Sequence, residues 1–426
     1  MSIVAARLTD VPAYLRDRLG FLEEAAASAN GQPARVWLGT NVYLLTDPED
    51  IEHVLLRNHA AYGKTRRLTG PRGRRLLGRG IQTSVGEEHI RKRRAFASAF
   101  ARKSAPSFEP AVSRSVEETV KRWRPGAEID LADETMRLAR RTILRVLFGI
   151  DAAEVDELDE EVAARQRFLD YSIVSLSPRP ELMPRRVVVE HHLAARRIDR
   201  ALAAAIKARR SAPADDLISL LCAARHTDGT PVTDGEVRDE ALVVTVTGHE
   251  TSGAALAWTL FLLATHPEAE RDVLAAIDGP VEENRALERV LLESLRLYPP
   301  TWIFVRVALT DDVLPSGLAV RAGQKLYVSQ WTTHRDARFF AEPARFDPGR
   351  FDDHGGGSWP DAAYFPFGGG ARLCIGKHLA LLELALAVSG LLRTRRLEVV
   401  EPQQVVPQPG LVLTPRSGIR AVVRAR

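Results

Sequence analysis

Only two cysteines, Cys222 and Cys374, occur among 426 residues, so neither a disulfide framework nor a four-cysteine zinc site can be built. A reducing, cytoplasmic setting is the expectation. Excess charge of one sign is also missing: 59 Lys and Arg against 55 Asp and Glu leave a formal +4, too little over this length to point to nucleic acid. No apolar run is long enough to cross a bilayer, and MSIVAARLTDVPAYLRDRLG carries Asp10, Arg16 and Asp17 where a signal peptide or membrane anchor needs an uninterrupted apolar segment. Internal repeats, low-complexity tracts and an interdomain linker are absent as well. What is there suits a soluble globular protein with a sizeable core: 45% hydrophobic and 27% charged residues, with 6% aromatic. The expectation is one continuous domain over residues 1–426.

Along the chain, ARVWLG and VYLLTD alternate apolar residues about a Thr-Asn turn and predict a hairpin, hence a small sheet near the N-terminus. From about His89 to Arg209, Leu, Val and Ala recur at three- and four-residue spacing, the period of amphipathic helices. Between them GKTRRLTGPRGRRLLGRG, with six arginines and one lysine, has no clear period and reads as a long functional loop. Thr233 followed by Glu236 forms a capping-box pattern that opens a helix running to Thr265, before Pro267. Further helices are expected at about Glu283 to Leu297, stopped by Pro299-Pro300, and at Gly376 to Arg393. The chain is mainly α with small β-sheets.

Cys374 lies at the mouth of the last helix, behind Gly368, Gly369 and Gly370. A thiolate there is stabilised by the helix dipole and by unpaired backbone N–H groups. The residues alone leave three readings open: a small buried thiol, a nucleophile paired with His378, or an axial ligand to haem iron. The haem reading requires an oxygen-handling face and cations for two propionates. VTVTGHETSGAAL supplies the first in the middle of the longest helix, where Gly248 weakens the helix and the Thr251 hydroxyl can turn back onto the Thr247 carbonyl. Glu250 beside Thr251 is either a solvated carboxylate or one half of a proton-delivering acid and alcohol pair. Glu293 and Arg296 share a helix face three residues apart, and Arg350 in FDPGRF offers a third member for a buried network.

With these pieces in order, the chain resembles the cytochrome P450 family of haem-thiolate monooxygenases. The cysteine signature Phe-x-x-Gly-x-Arg-x-Cys-x-Gly is met by Phe367, Gly370, Arg372, Cys374 and Gly376; Glu-x-x-Arg by Glu293 and Arg296; the third network member by Arg350. The oxygen-activation motif is met by Gly248, Glu250 and Thr251, with Thr247 replacing its leading alanine. The resemblance covers nearly the whole chain. It implies a single triangular-prism-like domain with a long central helix over a haem b (iron protoporphyrin IX), with no fused reductase.

The resemblance further implies that Cys374 is the iron ligand, with Phe367 near its sulfur and Gly376 in its loop. His89, Arg93, Arg306 and Arg372 become the propionate contacts, while Glu250 and Thr251 become the catalytic pair that relays protons. Electrons are expected from NAD(P)H through a ferredoxin reductase and a ferredoxin, docked on Arg91, Lys92, Arg94 and Lys377. Substrate contacts fall in the arginine-rich loop, near Phe168 to Leu176, at Val244 and Thr247, and at Ile303 and Phe304. The expected substrate is hydrophobic, a terpenoid, polyketide or fatty-acid-like molecule of bacterial secondary metabolism, and the expected protein is a monomer. The loop arginines offer an alternative, a carboxylate or carrier-bound substrate. Cys222, in LISLLCAAR, is expected in the core.

Overall fold

The computed structural model describes residues 10–174, 179–352 and 359–426, with side chains 173 and 174 excepted. Helices dominate: α1 (Pro71–Leu77), α2 (Gly86–Phe96), α3 (Glu109–Arg122), α4 (Leu131–Phe148), α5 (Ala152–Val174), α6 (Arg186–Ser211), α7 (Asp234–Thr265), α8 (Arg285–Leu297) and α9 (Lys377–Leu392). The chain divides into two compact units, one of residues 1–69 and 288–374, the other of residues 70–287 and 375–426.

The first unit is built on a five-stranded sheet. The expected hairpin is present as β1 (Ala34–Trp37) and β2 (Asn41–Leu45), antiparallel with Val36 opposite Val42. The sheet continues through β3 (Tyr62–Gly63), β4 (Phe304–Ala308) and β5 (Lys325–Val328) in the order β1-β2-β5-β4-β3, with β2 and β5 parallel. Tyr43, Leu45, Leu326 and Val328 pack with Ile51, Val54 and Phe365 into its apolar core.

The second unit is helical around α7. Its start is fixed by the predicted box: the Thr233 hydroxyl accepts from the Glu236 amide at 3.2 Å, and the Glu236 carboxylate accepts from the Thr233 amide at 3.0 Å. At 1.5 Å per residue the helix is about 48 Å long. Most of its residues from Val237 to Leu263 are buried, which explains why it carries so few charges. The Trp258 indole donates to the Leu413 carbonyl at 2.9 Å. Two glycines let α4 approach closely, because a Cβ at Gly248 would meet Ile143 Cδ1 at 3.0 Å and one at Gly253 would meet the Met136 Cα at 2.9 Å. Gly248 is therefore a packing position, and α7 stays α-helical through it. Cys222 is buried in the apolar cluster of this unit, as expected.

Candidate functional site

The Cys374 turn folds back on itself. The Cys374 amide donates to the Phe367 carbonyl at 2.9 Å and the Leu373 amide to Gly370 at 3.0 Å, and the cysteine remains exposed. Gly368 and Gly370 have φ of 73° and 59°, the left-handed region that side chains disfavour. A Cβ at Gly370 would stand 1.9 Å from the Leu55 carbonyl oxygen, and one at Gly369 would stand 3.0 Å from Leu56 Cδ1. These glycines are thus required by a π-helical turn of the chain itself, His53–Arg57. At Gly376, the N-cap of α9, a Cβ would meet no protein atom within 4 Å.

A buried ion network holds the segment that leads into this turn. Glu293 and Arg296 are both 0% exposed and pair bidentately at 2.6 and 2.8 Å. Arg296 also donates to the carbonyls of His334, Pro343 and Arg345 at 2.7, 2.8 and 3.2 Å. Glu293 accepts from the Asp347 amide at 2.9 Å, and the Arg350 Nε lies 3.4 Å from it. Every lone pair of the buried carboxylate that matters is thereby answered, which offsets the cost of burying the charge. The network has a further member that the sequence motifs do not contain. His334 is fully buried, and its Nε2 accepts from the Phe365 amide at 3.0 Å, two residues before Phe367. Burial, then the positive charges of Arg296 and Arg335, drive its pKa well below 6.5, so it stays neutral and keeps that acceptor.

Two expected propionate cations lie in the same unit. Arg306 is 8% exposed, and its guanidinium lies 4.6 Å from the centroid of the Phe304 ring. Among the described residues it has no carboxylate partner, and burial together with the nearby Arg372 lowers its pKa to about 10. A buried arginine beside a second cation calls for an anionic group, and the exposed Cys374 lies in the same unit. These residues fit a haem: carboxylates for the arginines and a metal for the sulfur. Phe304 is occupied on one side by Arg306 and packs edge-on to Phe365 at 6.2 Å; Ile303 is half-buried.

In the second unit His89 is buried and Arg93 half-buried, one turn apart on α2. On α7 the Thr251 hydroxyl donates to the Thr247 carbonyl at 3.1 Å, as the sequence predicts, and the Thr247 hydroxyl likewise to Val243 at 2.9 Å. Val244 packs into the apolar cluster with Ile143 and Phe96. Glu250 is 7% exposed. Burial first, then the negative Asp170, raises its pKa to about 8, against a hydrogen bond from Gln166. It is a buried, largely neutral acid at pH 7. Ser252, two residues on, hydrogen-bonds Glu383 of α9, whose burial also raises its pKa to about 8. Neither Gln166, Asp170 nor Glu383 stands out in the sequence, because α5 and α9 meet α7 only in three dimensions.

Two expectations are corrected. Lys92 is buried, pairs with Glu88 at 2.8 Å and donates to the Arg79 carbonyl, and Arg91 is held by Glu236 at 2.9 Å and by His226. Burial removes Lys92 from a docking surface, whereas Arg91, though paired, stays exposed; Arg94 is exposed and Lys377 half-buried. The arginine-rich segment is not an open loop, since it contains β3, a short helix at Arg66–Thr69 and α1. Its arginines contact the protein itself: Arg72 the Ser172 carbonyl at 3.4 Å, Arg74 Glu88 at 3.3 Å and Arg75 Glu181 at 3.3 Å. Of the stretch Phe168 to Leu176, Ser175 and Leu176 lie outside the described residues.

Comparison with known proteins agrees with this geometry. The cytochrome P450 family model matches residues 25–422. The chain is 34% identical to cyclooctat-9-en-7-ol 5-monooxygenase of Streptomyces melanosporofaciens over 91% of this chain and 87% of that protein. It is 30% identical to pentalenene oxygenase of Streptomyces avermitilis over 90% of this chain and 88% of that protein. The solved haem domain of cytochrome P450DA superposes with a TM-score of 0.87 at 21% identity, covering 100% of this chain and 99% of that one. Among the described residues no helix is long and apolar enough to cross a membrane. A family match over most of the sequence, carried on a mainly helical fold with the cysteine turn and the buried Glu293-Arg296 network in place, establishes that the chain belongs to the cytochrome P450 family and is a monooxygenase.

Proposed function

We propose that the protein hydroxylates a hydrophobic terpenoid in bacterial secondary metabolism, using dioxygen and two electrons supplied from NAD(P)H through a ferredoxin reductase and a ferredoxin. The observation that carries this reading is the match to two Streptomyces oxygenases whose names record cyclooctat-9-en-7-ol and pentalenene as their substrates. In this reading residues 1–426 act as a single catalytic domain.

The haem, when bound, supplies the activation of dioxygen and its insertion into a C–H bond. Cys374 would supply the thiolate, with Phe367 in its turn and Gly376 after it; Arg306 and Arg372 would be the propionate cations of the first unit, and His89 and Arg93 are the candidates that the second unit carries. Glu293, Arg296, Arg350 and His334 fix the backbone that carries Cys374. The Thr251 hydroxyl, held on the carbonyl of Thr247, is the alcohol of the pair, and Glu250, neutral at pH 7 and buried, is an acid that can give up a proton. Gly248 keeps α4 against the helix that bears them. The substrate contacts of this reading are Thr247 and the buried Val244 on the second unit and the half-buried Ile303 and Phe304 on the first. Arg94, with Arg102 and Lys377 beside His378, gives a basic surface for an acidic ferredoxin.

The test is a spectral binding screen of the haem-loaded protein against cyclic terpene alcohols and hydrocarbons, followed by turnover with a ferredoxin system. Displacement of iron-bound water and an oxygenated product from a cyclic terpenoid are the expected results. Binding and turnover confined to fatty acids or to carrier-bound substrates contradict the reading.

A further inference from the structure

The π-helical turn His53–Arg57, whose Leu55 carbonyl meets Gly370 of the cysteine turn, is held by a residue far along the chain but within the same unit. Such turns are rare in proteins and occur mostly singly, often at functional sites. This one is closed by the Asn58 amide, which donates to the His53 carbonyl at 2.8 Å. The side chains of the same two residues end on one atom: His53 Nε2 donates to Asp312 Oδ2 at 2.8 Å, and Asn58 Nδ2 donates to it at 2.9 Å. A single carboxylate oxygen therefore ties the first residue of the turn to the residue that caps it. The Tyr62 hydroxyl donates to that oxygen at 2.6 Å, and the Val313 amide to the other oxygen at 2.8 Å. Burial raises the Asp312 pKa, but the bonds from Tyr62 and His53 outweigh it and bring it down to about 2, so the bridge is an anion at neutral pH.

We propose that Asp312 is a positioning residue for Cys374: by binding both ends of the π-turn it fixes where the Leu55 carbonyl meets Gly370, and with it the geometry in which the cysteine turn presents the thiolate. This rests on the reading of Cys374 as the iron ligand. The contact is tight enough to transmit a displacement. A Cβ at Gly370 would stand 1.9 Å from the Leu55 oxygen, so neither backbone has slack toward the other. Gly370 in turn accepts from the Leu373 amide at 3.0 Å, and the Cys374 amide rests on the Phe367 carbonyl at 2.9 Å. A shift of Leu55 thus reaches the cysteine through one short turn of chain.

Packing alone does not fix the turn in this way. Ile51, Val54 and Leu55 share an apolar cluster with Leu314, Leu318 and Phe365, and such contacts are non-directional, whereas a hydrogen bond sets an orientation. Asp50, in the helix before the turn, accepts from the Ser316 amide at 2.9 Å and so holds the entry to the turn but not its closing residue. Without the bridge the extra residue of the π-turn is free to leave, and a one-residue slip rotates the following carbonyls by about 100° around the helix axis. The Leu55 carbonyl would then no longer face Gly370.

The experiment is amide hydrogen exchange of the haem-loaded protein, followed at Leu373 and Cys374, beside its reduced carbon-monoxide spectrum. In Asp312→Asn, exchange at these two amides is expected to rise about tenfold or more, while the β1-β2 hairpin of the same unit keeps its native rates. A larger fraction of the same variant is expected to lack the thiolate-type spectrum. Asn58→Ala, which frees one end of the turn, is expected to move both readouts the same way by less. Tyr62→Phe removes a bond to the same oxygen but leaves both ends bridged, so both readouts are expected to stay native. Native exchange at Leu373 and Cys374 in Asp312→Asn and Asn58→Ala overturns the proposal. Acceleration spread evenly over the hairpin, with the thiolate-type spectrum intact, overturns it too, because that is the mark of a carboxylate that only stabilises the fold. If Cys374→Ser keeps the thiolate-type spectrum, the reading beneath the proposal fails whatever the exchange rates, and the proposal fails with it.

Discussion

The imidazole of His334 accepts a hydrogen bond from the amide of Phe365 at 3.0 Å, so a buried neutral histidine stands between the Glu293-Arg296 network and the turn that carries Cys374. Arg296 donates to the His334 carbonyl, and Phe365 precedes by two residues the carbonyl on which the Cys374 amide rests. The substitution His334→Leu leaves the Phe365 N–H without its acceptor in the interior. The expected loss is about 1–3 kcal/mol of stability, read by denaturant unfolding. A larger fraction of reduced, carbon-monoxide-bound protein is also expected to lack the thiolate-type spectrum, whereas a variant that merely packs poorly would melt earlier with its spectrum intact.

The ion network is costly to break from one side. Arg296→Leu strands the fully buried Glu293 carboxylate and is expected to cost about 3–5 kcal/mol, with little folded, haem-loaded protein recovered. Arg350→Leu removes a longer contact of 3.4 Å at the edge of the network and is expected to cost less. Comparing the unfolding midpoints of the two variants checks this order.

Glycine positions in the signature separate by what surrounds them. Gly370→Ala places a Cβ against the Leu55 carbonyl at a positive φ, and about 2 kcal/mol or more of strain is expected. Gly376→Ala meets no protein atom within 4 Å, so folding of the haem-free chain is expected to change by no more than about 0.5 kcal/mol. A haem-loading defect in Gly376→Ala with native stability before loading identifies that glycine as a cofactor contact.

Two buried acids set the alkaline side of the stability profile. Glu383 and Glu250 have pKa values raised to about 8 from an ordinary 4.5. The unfolded chain binds fewer protons between those values, so their stabilising contribution is complete below 4.5 and is lost as pH rises to about 8. Glu383→Gln keeps a partner for Ser252 and removes one titration, and the expected result is a flatter melting temperature across that range. His334 acts on the opposite side, because its depressed pKa withdraws stability as pH falls below 6.5.

The sequence made the chain-local features legible. The capping box at Thr233, the span of α7 and the back-bonded Thr251 hydroxyl depend on residues within one turn of each other, and the structure has them where the spacing predicts. The Glu293-Arg296-Arg350 network was also readable, because two members share a helix face and the third sits in a distinct turn. What escaped depends on long-range packing. His334, Gln166, Asp170 and Glu383 are polar residues with no local pattern, and only the packed fold gives each its partner. The charge of Lys92 and Arg91 suggested a docking face because a sequence does not show that Glu88 and Glu236 already answer them. The glycines before Cys374 were readable as a need for close approach, but what approaches two of them is the chain's own π-helical turn.

The measurement closest to the central claim is the reduced carbon-monoxide difference spectrum of the native protein beside Cys374→Ser. A thiolate-type spectrum in the native protein, abolished in a Cys374→Ser protein that still folds and retains haem, is the predicted result. A Cys374→Ser protein that keeps the thiolate-type spectrum would contradict the assignment of Cys374 as the iron ligand.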